Sequence, residues 1–261
     1  MYELNDPVLL EQCARIKTMI EKAAQNPEYQ KNYYAKLYHH WELSPPVQLW
    51  EIEEFENKSG VQLPIEYVYY LTQVGRGGAA PGTFFRDFDA NENIDPELSM
   101  VSEELSCEWT EEEWKELYEE HGVPENGTIC LCAMDLTFIA YLIVTGPMRG
   151  RVVYLDYDGD YPPMWPKGSP DFLTWCENFY SELLAGYDIR PIWKFMWQEP
   201  GDDSALICAF QNAEDIEYQK EVLYSFCKFK ELSKKAQQFL KSIQEPELHE
   251  EAAEVLEHFN L

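Results

Sequence analysis

The spacing of apolar residues in this 261-residue chain changes at Thr128, from a helical pattern to an extended one. Three segments rich in β-branched and aromatic residues follow, at 128–132, 137–144 and 151–156. The gap between the last two holds only a few turn-forming residues around Gly146, whereas a parallel crossover needs about a dozen residues. The three segments therefore predict an antiparallel sheet.

Capping residues and turn glycines divide the rest of the chain into helices. Asp6 followed by Pro7 is typical of a helix N-terminus, and Asn26-Pro27 repeats the pattern. A second helix is then expected through 29–38, ending before Ser44-Pro45-Pro46. Further helices are predicted from Pro46 to Gly60, from Leu63 to Gly75, over 111–120 behind a Thr110 and Glu113 capping box, from Ser169 to Gly186, and from Pro246 onward.

These elements predict an α+β protein in which helices flank an antiparallel sheet. Residues 1–43 are expected to form an N-terminal helical hairpin. Residues 44–186 are expected to form the α+β domain, with an acidic insertion at 83–127. Residues 187–261 are expected to form a helical C-terminal extension packed on that domain.

The charge of the chain limits its partners. Lys and Arg number 20 against 48 Asp and Glu, for a formal net charge of -28. Such a field repels nucleic acid and anionic membranes, and it accelerates the approach of a basic protein. Fifteen acids and a single lysine lie between Asp87 and Glu125, so this stretch carries -14, half of the total excess.

The expected location is the cytoplasm. No apolar run reaches the roughly 18 to 20 residues that span a bilayer, and the N-terminus lacks the basic start of a signal peptide. The seven cysteines are an odd number without a disulfide pattern, which fits a reducing compartment.

Two groups of short motifs resemble the SUKH superfamily. The first is a helix, a glycine, a Leu-Pro pair, a tyrosine, a leucine and glycines, found at 49–56, 60–67, Leu71 and Gly77-Gly78. The second is a strand hairpin with Gly-Xaa-Val, acidic turn residues and a Phe-Leu pair, found at 150–154, 156–158 and Phe172-Leu173. The resemblance covers residues 45–186.

The resemblance to this superfamily implies an α+β fold and a binding role. Many members are similar to bacterial immunity proteins, which bind and neutralise a cognate toxin, and others resemble regulatory scaffolds. Neither role brings catalytic residues, so the chain is not expected to be an enzyme. No cofactor is expected either.

The acidic residues around the predicted helix 111–120 are candidates for contact with a partner. Interleaved tryptophans favour an interface, whereas a run of charges by itself is typical of a solvated helix face. Both interpretations remain open here. The candidates are Glu104, Glu108, Glu111, Glu112, Glu113, Glu116, Glu119 and Glu120, with Trp109 and Trp114.

A second candidate region is the acidic turn 156–161, which has the alternating carboxylates of a calcium loop. Its spacing fails, because Tyr161 stands where that loop needs glycine and Lys167 where it needs a bidentate glutamate. The loop 87–93 fails the same test. The turn is therefore interpreted as the end of a strand, with Tyr157, Asp158, Asp160 and Tyr161 as partner contacts.

No metal site is predicted. His39-His40 and the other histidines lack ligand spacing, and Cys130 and Cys132, expected on one face of a strand, suit a core better than zinc. The sequence also lacks a nucleophile elbow, a phosphate loop and a dinucleotide-binding turn. A carboxyl with a strongly raised pKa in a deep cleft would revive the enzyme hypothesis.

The function predicted from these features is that of an immunity-type protein, which occludes a basic toxin domain with an acidic, aromatic surface. The alternative is an intracellular scaffold or regulatory adaptor with the same fold. A single tight, salt-sensitive partner indicates the first, and several weaker partners indicate the second. A monomer is favoured.

Overall fold

Residues 2–29, 34–90, 98–100, 105, 109–190 and 192–261 are described by the structure, a computed structural model. The first of its two units, Met1–Tyr180, contains all three strands. Its elements in chain order are α1 (Pro7–Gln25), a π-helix (Ala35–His39), α2 (Leu49–Ser59), α3 (Ile65–Gln73), α4 (Glu111–His121), β1 (Thr128–Ala133), β2 (Phe138–Ile143) and β3 (Val152–Asp156).

The second unit, Ser181–Leu261, is helical in its described residues. Helix α5 (Phe172–Ala185) crosses the boundary between the units. It is followed by α6 (Trp193–Trp197), α7 (Asp203–Asn212), α8 (Ile216–Ser225), a 3-10 turn (Phe226–Lys228), α9 (Lys234–Ser242) and α10 (Pro246–His258). The predicted α+β class is confirmed. The domain boundaries at 43 and 186, and the packing of the extension on the main domain, stay predictions.

The helix starts follow from local capping chemistry. The Asp6 carboxylate accepts the Val8 amide hydrogen at 2.8 Å at the start of α1. Thr110 and Glu113 form the predicted capping box of α4. Helix α2 ends at Gly60, whose φ of 72° lies in the left-handed region that glycine adopts without strain. These signals are local in sequence, which is why they could be read from it.

The second helix ends earlier than its sequence predicts. In the described residues it is the π-helix Ala35–His39, and it stops because His40 and Trp41 both adopt positive φ angles, of 49° and 60°. This tight turn brings Trp41 into the core, where its indole donates a hydrogen bond to the Tyr29 carbonyl at 3.2 Å. The predicted end before Ser44-Pro45-Pro46 is therefore wrong.

The three strands form an antiparallel sheet in the order β1-β2-β3, as predicted. A β-bulge at Leu131 interrupts the first pairing, so that Cys130 lies opposite Tyr141 and Cys132 opposite Ala140. Consecutive residues of β2 point to opposite faces of the sheet. The two cysteines therefore lie on different faces, and the prediction that they share one is wrong.

Both edges of the sheet are covered in part by other segments of the chain. On the β1 side, Thr83 and Arg86 donate backbone hydrogen bonds to the carbonyls of Ala133 and Leu131, at 2.8 and 3.0 Å. On the β3 side, Tyr154 and Met164 exchange two backbone hydrogen bonds, at 2.8 and 3.0 Å. Paired edges deny other molecules a free strand template.

Aromatic rings from both ends of the α+β region meet in the core. Tyr67 of α3 packs edge-on against Phe172 of α5, with ring centroids 5.0 Å apart. Tyr70 and Phe85 lie 5.2 and 5.8 Å from the same Phe172 ring. Tyr67 and Phe172 are among the residues that carry the resemblance, and they appear together because they fill one core.

The second unit has its own apolar core, built around Leu206, Val222, Phe226 and Leu240. Beside it lies a fully buried ion pair. The Lys228 ammonium group contacts the Glu182 carboxylate and donates a 2.6 Å hydrogen bond to the Glu199 carbonyl. Burial raises the pKa of the Glu182 carboxyl and lowers the pKa of Lys228, and their mutual attraction opposes both shifts.

Candidate functional site

Helix α4 is docked on the acidic turn 156–161. The Trp114 indole donates a 3.1 Å hydrogen bond to the Gly159 carbonyl, and the Tyr118 hydroxyl donates a 2.7 Å hydrogen bond to the Tyr157 carbonyl. Gly159 has a φ of +75°, and an added Cβ would lie 2.3 Å from the Tyr118 ring, so glycine permits this close approach. Two segments that were separate candidates in the sequence are thus adjacent.

Trp114 holds α4 in place and is not a surface residue. Its side chain is 1% exposed, as expected of a residue that faces the body of the protein. Trp114 therefore does not form part of an exposed interface, whereas Trp109 is only partly buried.

The outward side of α4 carries an acidic stripe. Glu112, Glu116 and Glu119 are exposed, and at about 100° per residue they lie on the side of the helix opposite Trp114. Glu113 is also exposed, but its carboxylate accepts hydrogen bonds from the Thr110 amide and hydroxyl groups, at 3.0 and 2.7 Å. Those hydrogen bonds lower the pKa of Glu113.

The other acidic candidates of this region are only partly within the described residues. Glu111 and Glu120 are exposed on the same helix. Glu104 and Glu108 lie outside the described residues. Their predicted role as partner contacts stays a prediction.

The turn after β3 is organised by one buried carboxylate. Asp156 accepts backbone hydrogen bonds from Asp158, Asp160 and Tyr161, at 3.3, 3.0 and 3.3 Å. Its oxygens therefore satisfy three amide groups of the turn backbone. Among the residues that the structure describes, no group of three or more His, Cys, Asp or Glu side chains is placed to hold a metal ion.

The side chains of the turn are presented outward on this support. Asp158 and Asp160 are exposed, and the exposed Tyr161 ring packs against Phe138 at 5.7 Å between centroids. The Tyr157 hydroxyl contacts both the Tyr141 hydroxyl and the Glu125 carboxylate. Partial burial and then the hydrogen bond to Glu125 raise the pKa of Tyr157.

One exposed residue of this region was missed by the sequence reasoning. Leu136, in the connection between β1 and β2, is 99% exposed. It precedes Thr137, whose carbonyl accepts a 3.0 Å hydrogen bond from the Tyr157 amide, so it lies beside the acidic turn. A lone leucine in a predicted hairpin turn was the available signal, since turns there are normally polar.

We call the exposed side chains of α4, of the adjacent turn and of the connection between β1 and β2, taken together, the acidic face. It consists of Glu112, Glu113, Glu116 and Glu119 of α4, of Tyr157, Asp158, Asp160 and Tyr161 of the turn, and of Leu136. The acidic face therefore carries exposed carboxylates, two tyrosine rings and one apolar side chain.

Comparison with known families matches residues 46–178 to the SMI1 / KNR4 family (SUKH-1). The chain belongs to this family. The matched range includes α2, α3, α4, the three strands and the start of α5, and it confirms the resemblance predicted from the sequence. The acidic face lies wholly inside this range. Comparison with curated proteins and with solved structures finds no match to the chain.

The Glu182 carboxyl, whose pKa is raised chiefly by burial, has a structural partner. Glu182 is 2% exposed and is paired with Lys228, and the Gly201 amide donates to it at 2.9 Å. Glu182 is therefore held in a buried ion pair. In the described part of the chain, no helix is both long and apolar enough to cross a bilayer.

Proposed function

We propose that this protein neutralises a basic toxin domain by binding it through the acidic face and occluding it. Membership of the family supports a protein-binding role that is immunity-like or related to it. The docking of α4 on the acidic turn carries the proposal, because it places the exposed carboxylates of α4 and the exposed tyrosine rings of the turn on two adjacent, mutually supported segments.

The electrostatics favour a basic partner of this kind. The net charge of -28 attracts cationic proteins over the Debye length, and the acidic face contributes exposed carboxylates to that charge. The turn is held by backbone hydrogen bonds to Asp156, so little conformational entropy is lost when a partner binds it. Blocking a toxin requires no bond chemistry, and the proposal therefore includes no catalytic activity.

Charge reversal on the acidic face tests the proposal. The triple variant Glu112→Lys, Glu116→Lys and Glu119→Lys changes the exposed side of α4 without altering Trp114. With a cognate toxin domain, we expect its association rate at low salt to fall by about tenfold or more, and the salt dependence of binding to flatten. Stopped-flow kinetics at several salt concentrations measure both quantities.

A matched control exists on α10, where Glu250, Glu254 and Glu257 are exposed with the same spacing. Reversing these three residues to lysine changes the net charge equally at a place outside the family match. Equal loss of association in both triple variants would show that only the overall charge matters, and would remove the acidic face from the interface.

The partner is sought by co-expression with the product of a neighbouring gene that encodes a large secreted protein with a basic C-terminal domain. Protection of cells from that domain supports neutralisation. Absence of protection and of a complex, together with several weaker partners, would favour the scaffold or adaptor role instead.

A further inference from the structure

A second surface of the first unit is a groove with a volume of about 390 Å³. It lies between the end of the π-helix and the chain around Phe84. Its wall and rim include Tyr38, Glu42, Phe84, Phe85 and Asp87. None of the residues that carry the acidic face lines it, and its volume falls in the range of small-ligand sites, about 300 to 1,000 Å³.

The floor of the groove is held by backbone pairing through Gly78. This residue bridges Leu43 on one side and Phe85 on the other, and it exchanges hydrogen bonds of 3.0 and 2.7 Å with Phe85. The Ala79 amide donates to the Glu42 carbonyl at 2.7 Å. An added Cβ at Gly78 would lie 2.3 Å from the Glu42 carbonyl oxygen, so the segments pack too closely for a side chain here.

Two aromatic rings stand open at the rim. Tyr38 and Phe84 are 47% and 44% exposed, with ring centroids 6.4 Å apart and planes tilted by 33°. Large rings that pack in a core on one side and remain accessible on the other are typical anchor positions for a ligand. Their negative faces also attract cations.

The charged groups of the groove are acidic. The Glu42 and Asp87 side chains are exposed and have no hydrogen bond or ion pair with any described residue. Among the residues that the structure describes, no lysine or arginine lines the groove. Burial, and to a lesser degree the nearby His40, lowers the pKa of His39 to about 4, so this lining residue adds no positive charge at neutral pH.

The backbone turn beside the groove is also unusual. His40 and Trp41 are consecutive non-glycine residues with positive φ, directly after a π-helix. Left-handed non-glycine residues are strained and persist only where the surroundings hold them. Here the Trp41 amide donates to the His39 Nδ1 at 3.0 Å, and the buried Trp41 ring fixes the turn.

We propose that this groove binds an arginine side chain presented by a basic polypeptide. A guanidinium group is planar, so it can stack on an aromatic ring and pair with carboxylates through its forked donors. The groove offers both partners within one space. This site is separate from the acidic face. The proposal does not depend on that face or on a toxin as the partner.

The test uses the peptide acetyl-Gly-Arg-Gly-amide and the same peptide with citrulline, a neutral isostere of arginine. Each is titrated into the full chain to millimolar concentration, and binding is followed by the amide NMR shifts of residues 38–44 and 78–87. We expect the citrulline peptide to bind at least about tenfold more weakly, since it lacks the charge that both the rings and the carboxylates attract.

Variants assign the effect to the groove. Glu42→Gln with Asp87→Asn keeps side-chain shape and should weaken arginine binding about tenfold. Phe84→Leu should weaken it independently by removing one ring. Glu250→Gln with Glu254→Gln on α10 removes the same charge elsewhere and should leave the affinity within about twofold.

Three results would overturn the proposal. The first is equal affinity for both peptides, which would indicate an apolar occupant. The second is the absence of NMR shifts around the groove at millimolar peptide. The third is a loss of arginine-peptide affinity in the α10 control as large as in the groove variant. The lysine triple variant of the acidic face should retain arginine binding. Loss of toxin binding in that variant with retained peptide binding separates the two proposals.

Discussion

The substitution Trp114→Phe tests the contact on which the acidic face depends. It removes one hydrogen-bond donor from the interior and keeps an aromatic ring at the same position. The Gly159 carbonyl, which is buried, then loses the 3.1 Å hydrogen bond from the indole. Helix α4 keeps its capping box and its hydrogen bond from Tyr118, so we expect it to stay folded but to open more often.

The magnitude follows from the unsatisfied carbonyl. Leaving a buried acceptor without a partner costs about 1–3 kcal/mol. If that cost falls on the docking of α4, the population of its opened state rises roughly five- to 150-fold. Native-state hydrogen exchange of the α4 amides measures this directly, because exchange through local opening follows the opened population.

A matched surface substitution controls for the change of residue type. Trp50 on α2 is 62% exposed, and its indole donates no hydrogen bond to a described residue. Trp50→Phe should therefore change the stability by less than about 0.5 kcal/mol. If Trp114→Phe left α4 exchange at the wild-type rate, the inferred anchoring of α4 by Trp114 would be refuted.

Three further predictions concern stability, measured by urea unfolding. Lys228→Met strands the buried Glu182 carboxylate and should cost about 3–5 kcal/mol, most of it recovered when Glu182→Gln is added. Burial lowers the pKa of His39 from 6.5 to about 4. Between pH 6.5 and 4 the unfolded chain therefore binds a proton that the folded chain does not bind. The free energy of unfolding should fall by about 3 kcal/mol as the pH drops through this range. Gly78→Ala should lower the free energy of unfolding more than Gly60→Ala does. Both glycines have positive φ, but only Gly78 has a carbonyl oxygen 2.3 Å from the added Cβ.

Each of these has a control that can contradict it. The double variant at Lys228 and Glu182 should be more stable than the single lysine variant, and the opposite order would refute the stranded charge. His39→Gln should flatten the acid dependence between pH 6.5 and 4, and an unchanged slope would assign it to carboxylates. An equal loss of unfolding free energy at Gly78 and Gly60 would show that only the backbone strain of positive φ matters at both positions.

The elements of the fold were predictable where their signals are local. The Asp6 cap, the Thr110 and Glu113 capping box and the glycine at 60 act within a few residues of the helix ends that they define. The antiparallel hairpins followed from gap lengths alone. Such signals need no knowledge of the tertiary structure.

Features that depend on packing were not predictable in the same way. The bulge at Leu131 moves one cysteine to the opposite face of the sheet, and the spacing of Cys130 and Cys132 does not predict a bulge. The left-handed turn at His40 and Trp41 is held by the burial of an indole among residues distant in sequence. Periodicity cannot report contacts of this kind.

The candidate site shows the same division. The charge pattern marked α4 and the turn after β3 as separate acidic segments. Their junction at Gly159 rests on Trp114 and Tyr118 reaching a loop some 40 residues away in sequence, and only the folded chain brings them together. The sequence therefore could not show that these two acidic segments are adjacent in the folded chain.

The covered edges of the sheet restrict how another polypeptide can engage this fold. With Thr83 and Arg86 bonded along β1 and Met164 bonded to β3, an incoming chain would have to displace these hydrogen bonds before it could add a fourth strand along either edge. Selectivity for a polypeptide partner is then expected to come from protruding side chains, which can be substituted without disturbing the backbone that carries them. The same closure removes a template for fibril growth, so concentrated preparations should resist assembly through strand pairing.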